Sequence, residues 1–166
     1  MKSYIQNLNG LHIKYIIINL IISLVSIVAS LLIKNPGISQ KFNMYLSVII
    51  MICILILFFF GRKSYRNGLE KAKELPFGKK LNLYHEINNK RLKTFTYITL
   101  TACVGLVLSN NYMYMIFAIL SISLILLNRA SKPKLKFELK ITEQEIEELV
   151  KPIQLRKQST KNKRIK

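Results

Sequence analysis

The sequence predicts an all-α integral membrane protein: a four-transmembrane-helix bundle with a cytoplasmic helical hairpin between spans 2 and 3, and a short strand-plus-helix C-terminal segment. Three observations lead there. The 166 residues are 51% hydrophobic yet carry a net charge of +18, a pairing that fits neither an ordinary globular chain nor a disordered one. All 26 Lys and Arg and all 8 acidic residues, every one a Glu, lie outside four uncharged apolar blocks. A bilayer imposes that segregation, because an ionised side chain at its centre costs several kcal/mol. The basic residues are also shared unevenly among the connecting segments, which orients the chain.

The first block, Tyr15 to Ile33, holds 19 residues between Lys14 and Lys34; at 1.5 Å per residue it crosses a hydrocarbon core of roughly 30 Å. A cleaved signal peptide would have a shorter apolar region and a small-x-small site, and Ile27-Val28-Ala29 is a poor one, so a retained anchor is expected. Pro36-Gly37 makes a tight turn before the second block, Phe42 to Phe60. From Thr94 to Asn128 no charge appears for 35 residues, and Ser109-Asn110-Asn111 interrupts the run, so two helices in a hairpin are expected. The spans are read as 15–33, 42–60, 92–109 and 112–128, within a transmembrane domain of residues 1–130.

Between spans 2 and 3, the segment 62–91 repeats apolar residues at helical spacing on either side of Pro76-Phe77-Gly78: Leu69, Ala72 and Leu75 before it, Leu81, Tyr84 and Ile87 after. This predicts a helical hairpin that extends the two spans; a pair of surface-lying amphipathic helices is the alternative. The tail segment, residues 131–152, opens with Lys134 to Ile141, whose alternation puts Leu135, Phe137, Leu139 and Ile141 on one face of a strand. Thr142 and Glu145 then form a capping box and Ile141 with Ile146 a hydrophobic staple, so a helix from Glu143 to Lys151, including Leu149, should follow and stop before Pro152. Residues 153–166 are basic and expected to be disordered.

Lys and Arg number two before the first span, two in the first loop, ten in the second, none in the third and twelve in the tail. The positive-inside rule therefore places both termini and the hairpin in the cytoplasm, and the two tight turns outside.

The residues that membrane chemistry needs are missing. Proton relays and ion-coupled transport need an ionisable group inside the bilayer, and the four uncharged blocks contain no Asp, Glu, Lys, Arg or His. Thiol oxidases need paired cysteines and metal-dependent transferases need acidic clusters, whereas this chain has no Asp and two isolated cysteines, Cys53 and Cys103, read as small hydrophobes. His12 and His85 are read as solvated or headgroup-contacting, and no metal site, cofactor or enzymatic activity is expected.

The polar residues that enter the bilayer are more telling. Asn19, Ser23, Ser26 and Ser30 follow 4-3-4 spacing and share one face of span 1, as a packing seam or a wet path, with packing favoured because small polar residues let membrane helices approach closely. Thr94, Thr101, Gly105 and Ser109 form a comparable stripe on span 3, the natural partner of that seam. Arg62, Lys63, Arg66, Lys90, Arg91, Lys93, Arg129 and Lys132 adjoin the spans and are expected to contact anionic lipid headgroups. Nucleic acid is not the expected partner, since only Arg156-Lys157 and Lys161-Asn162-Lys163-Arg164 exceed what orientation requires.

The stretch from Leu75-Pro76 through Tyr84 and Arg91 into the charge-free hairpin, closing with Phe137-Glu138-Leu139-Lys140-Ile141-Thr142-Glu143-Gln144-Glu145, resembles small bacterial four-span inner-membrane proteins of unassigned function. The resemblance covers residues 75–152 and rests on hydropathic pattern. It implies a bacterial inner-membrane location and carries over no site residues.

The expectation for function is a non-enzymatic multi-pass inner-membrane protein that acts by association, as a homo-oligomer or as an accessory or scaffold subunit of a membrane complex. Its cytoplasmic contact ridge would be Leu135, Phe137, Leu139, Ile141, Ile146 and Leu149. A pore or permeability factor of holin or toxin-effector type, lined by the span 1 seam, is the alternative, and an uncoupled small-solute transporter comes last.

Overall fold

The structure, a computed structural model, describes residues 2–33, 40–142 and 145. It comprises five helices: α1 (Lys2–Leu32), α2 (Gln40–Lys73), α3 (Phe77–Ser109), α4 (Tyr114–Leu127) and α5 (Lys132–Leu139). Three of them, α1 to α3, are long and apolar enough to cross a membrane, and α4 with α5 makes a fourth candidate broken by a 90° bend. The turn expected at Pro36-Gly37 lies outside the described residues.

The first three helices run well past their apolar blocks. With 31, 34 and 33 residues they are about 46–51 Å long, against a hydrocarbon core of roughly 30 Å, so each carries its charged end beyond the apolar zone. The hairpin between spans 2 and 3 is thus the direct continuation of α2 and α3, not a separate surface-lying pair. The turn between the two helices closes with the Leu75 amide donating to the Ala72 carbonyl at 3.3 Å, and Pro76 caps α3. Proline suits that place, since its fixed φ and missing N–H cost nothing at a helix start.

α1 begins at Lys2, far upstream of its apolar block. The reason is a single stripe of residues 8, 12, 15, 19, 23, 26 and 30, spaced 4-3-4-4-3-4, that is turned inward along the whole helix. Leu8, His12 and Asn19 have no exposure and Ser30 only 1%.

α3 is the central helix, with α1, α2 and α4 packed on it, α1 also on α4, and α2 also on α5. The α2–α3 pairing is close because two glycines seven residues apart on α2 face α3. A Cβ at Gly61 would stand 2.5 Å from Thr94 Cγ2, and one at Gly68 would stand 2.8 Å from Ile87 Cγ1. α3 ends where Asn110 adopts a left-handed φ of 51° and its amide donates to the Leu106 carbonyl at 2.8 Å. Asn111 Oδ1 then accepts from the Met113 amide at 3.0 Å, starting α4.

The expected strand over 134–141 is a helix. Ser131 caps α5 by accepting from the Lys134 amide, Pro133 occupies its first turn, and Lys140 closes it with a φ of 49°. Alternation over so few residues also satisfies an i, i+4 pair: Leu135 and Leu139 are fully buried, while Phe137 between them is 85% exposed. A strand here would have left its backbone groups unpaired, because no partner strand exists among the described residues; the helix pairs them internally.

Two cores result. One lies among the apolar blocks around Ile54, Leu92, Phe95, Ile98, Leu106 and Ile125. The other, beyond them, joins Leu8 of α1, Ala72 of α2, Tyr84 and Ile87 of α3, and Leu135 and Leu139 of α5.

Candidate functional site

The span 1 seam is buried within the chain. Asn19 Nδ2 donates to the Tyr15 carbonyl at 2.7 Å and across to Thr96 Oγ1 of α3 at 3.0 Å. Ser23, Ser26 and Ser30 donate to the carbonyls of Asn19, Ile22 and Ile27 in their own helix, at 2.8–2.9 Å. Their hydroxyls are thus satisfied within the helix, and all four side chains are buried.

The span 3 stripe is split among other neighbours. Thr94 stands against Gly61 of α2, and Gly105 lies between Ile50 of α2 and the Tyr114 ring of α4. Ser109 is buried, donates to the Gly105 carbonyl and accepts Asn43 Nδ2 of α2 on its own carbonyl. Thr101 donates to the Tyr97 carbonyl of its own helix. The hydrogen bonds from α1 to α3 go instead to Leu81, Asn89 and Thr96, from Tyr4, Tyr15 and Asn19. Asn89 and Thr96, seven residues apart, are the residues that reading the sequence missed; their spacing is that of the α1 stripe itself.

The charged end holds a second polar cluster. Glu138 of α5 accepts on one oxygen from Tyr84 at 2.6 Å and from Tyr65 at 3.0 Å, so a single carboxylate ties α5 to α2 and α3. Lys134, one turn earlier, donates to both the carbonyl and the side-chain oxygen of Asn128 at 3.0 and 3.1 Å. Burial pushes the Lys134 amine below its usual range, opposed by the attraction of Glu138 and aided by the repulsion of Arg91. His12, expected at the surface, is fully buried, and its Nδ1 donates to the Leu8 carbonyl of its own helix at 2.8 Å. His85 is half-buried.

The capping box is formed. The Thr142 amide donates to Glu145 Oε2 at 2.9 Å, Thr142 Oγ1 to the same oxygen at 3.3 Å, and the Glu145 amide returns to Thr142 Oγ1 at 3.5 Å. Those bonds, the backbone one foremost, hold the Glu145 carboxyl below its usual range, and Glu145 also pairs with the buried Lys80 at 3.2 Å. The remainder of the helix expected there, with Ile146 and Leu149, and the basic segment 153–166 lie outside the described residues. Among the described residues of the expected contact ridge, Leu135, Leu139 and Ile141 are buried and Phe137 is open.

Among the residues expected to meet lipid headgroups, Arg62, Lys63, Arg66, Lys90, Lys93, Arg129 and Lys132 are exposed and Arg91 is half-buried. The Arg91 guanidinium lies 4.2 Å above the Tyr65 ring and 5.7 Å from that of Phe95. With Arg62 and Arg66 it borders a cleft of about 380 Å³ whose other wall is Phe58, Phe95 and Leu124. Cys53 is exposed on α2 and Cys103 buried. Among the described residues no group of three His, Cys, Asp or Glu could hold a metal ion.

Comparison with models of known families, with curated proteins and with solved structures finds no match to this chain.

Proposed function

We propose that the chain is a non-enzymatic multi-pass inner-membrane protein that acts by lateral association, as a self-assembling unit or an accessory subunit. The observation that carries this reading is the openness of the bundle on its α2 side. Half of the most apolar window of α3 is buried within the chain, but only 17% of that of α1 and 11% of that of α2, the least covered, which rests on α3 and leaves the rest of its span open. A neighbouring transmembrane helix can pack there at no cost in polar desolvation. Phe137, the most exposed large hydrophobic side chain among the described residues, offers a second contact on a helix held in place by Glu138.

In this reading four segments cross the membrane, with both termini and the 62–91 hairpin in the cytoplasm, as the ten basic residues of the second loop and twelve of the tail favour. The burial of Asn19, Ser23, Ser26 and Ser30 supports packing over a water path.

Cys53 reports directly on the α2 face. Mild oxidation of native membranes should give a disulfide-linked species, a dimer if the chain self-assembles or a heavier adduct if a partner cysteine is near, and Cys53→Ala should abolish it while Cys103→Ala does not. If neither a cross-link nor a co-purifying protein is found, and Phe137→Asp leaves the assembly in mild detergent unchanged, association is wrong.

A further inference from the structure

We propose that the cleft between α2, α3 and α4 is a site for one anionic phospholipid, with Arg62, Arg66 and Arg91 gripping its phosphate and Phe58, Phe95 and Leu124 lying along its acyl chain.

The two walls differ in chemistry and in depth. Phe58 lies inside the second uncharged block and Arg62 is the first charge after it; Arg91 precedes the third block and Phe95 is inside it; Leu124 is in the last turns of the fourth. Three helices therefore pass from hydrocarbon to headgroup level at the same cleft. An amphiphile seated there would change character at the same height as its walls do.

The arginines are free to act on a ligand. Arg62 and Arg66 are one helical turn apart on α2 and Arg91 reaches in from α3, yet none of the three meets a carboxylate among the described residues, where the one ion pair is Lys80 with Glu145. Glu138 of α5 is already engaged by Tyr65 and Tyr84. Three uncompensated guanidinium groups around one cavity call for an anion, and guanidinium matches phosphate oxygens in pairs. Arg91 is also preorganised: stacking on Tyr65 fixes its plane, so little side-chain freedom is lost when a phosphate binds. Gly61 on the cleft wall lets α2 and α3 close at Thr94.

The cleft is also where the bundle is open, because α2 leans on α3 while α4 packs on the other helices. A lipid chain between Phe58 of α2 and Leu124 of α4 fills that gap. The inference depends on the membrane reading for the depth of the cleft and not on association, and the two separate in the following experiment.

Full-length protein in mild detergent, supplied with phosphatidylglycerol, cardiolipin or phosphatidylcholine, is examined by native mass spectrometry, which counts chains and lipids independently. One anionic lipid should be retained per chain, whatever the number of chains, and phosphatidylcholine should not. Replacing the arginines by Gln should weaken retention on the order of fivefold for each. The triple change Lys73→Gln, Lys79→Gln, Lys140→Gln removes equal charge outside the cleft and should leave retention intact. If Arg91→Gln impairs folding, Arg62→Gln with Arg66→Gln, both on exposed side chains, carries the test. Equal retention of phosphatidylcholine, an equal loss in the control triple, or displacement of the lipid by inorganic phosphate at millimolar concentration would overturn the proposal, the last by showing an anion site without a lipid.

Discussion

The apolar and charged ends of this molecule use most of their polar side chains differently, although Asn19 and Asn43 bond between helices in the apolar part too. Along the uncharged blocks, Ser23, Ser26, Ser30, Thr99, Thr101 and Ser121 all return their hydroxyls to carbonyls of their own helices. At the charged end the side chains cross between elements: Tyr4 to Leu81, Tyr65 and Tyr84 to Glu138, Lys80 to Glu145. The difference follows from the solvent. In lipid a helix has already satisfied its backbone and gains nothing by hiding apolar surface from hydrocarbon, so fit and small residues must align it. Beyond the apolar zone water restores the hydrophobic drive, and buried polar groups there select one arrangement among many.

Removing Glu138 should break the contrast most visibly. Glu138→Ala leaves the hydroxyls of buried Tyr84 and half-buried Tyr65 without an acceptor and should cost about 2–4 kcal/mol. Limited proteolysis should then open the chain between residues 128 and 142, while helical circular dichroism is nearly unchanged. If the segment stays protected, α5 is held by its leucines alone.

The apolar end should yield to volume. Gly61→Val forces a methyl-bearing side chain into Thr94 and should cost about 1–3 kcal/mol in detergent unfolding, with Thr94→Ala restoring part of the loss. Absence of rescue would mean that α2 and α3 do not meet at this point.

Smallest of all should be the seam. Asn19→Leu, which loses the bond to Thr96, should cost about 0.6–2 kcal/mol, whereas Ser23→Ala, Ser26→Ala and Ser30→Ala together should stay within about 1 kcal/mol, since each hydroxyl serves only its own helix. A serine triple as costly as Asn19→Leu would show that these hydroxyls do bind across helices.

Reading the sequence recovers best what solvent dictates and least what neighbours dictate. The uncharged blocks, the break at Ser109-Asn110-Asn111 and the reciprocal pairing of Thr142 with Glu145 follow from charge cost, turn chemistry and local hydrogen bonding, all of which act within a few residues. The helical start of α1 is harder to see. Residues 2–14 look polar, and their inward stripe becomes apparent only when Leu8 and His12 are joined to Asn19 and Ser23 as one series. The alternation at 135–141 suits either period, and what decides it is a partner: Glu138 must reach Tyr65 and Tyr84, and two leucines must face Tyr84 and Leu8. Gly61 and Gly68 gain meaning only from the helix opposite. For the candidate site the sequence supplies the basic residues at the boundary, but not that three of them border one cleft.

The second core joins the first helix to the last. Leu8 and Leu139 share it although α2, α3 and α4 all lie between them in the chain, with Ala72 and Tyr84 completing the patch. During synthesis the first three long helices emerge before α5 exists, so Leu8 and Tyr84 must wait uncovered at the membrane surface until the last turn of α5 arrives. A chain interrupted before residue 131 carries the same apolar blocks, yet displays that unfinished core to every protease and chaperone on its side. Arrival of α5 is thereby written into the folded state as the closing of one small patch.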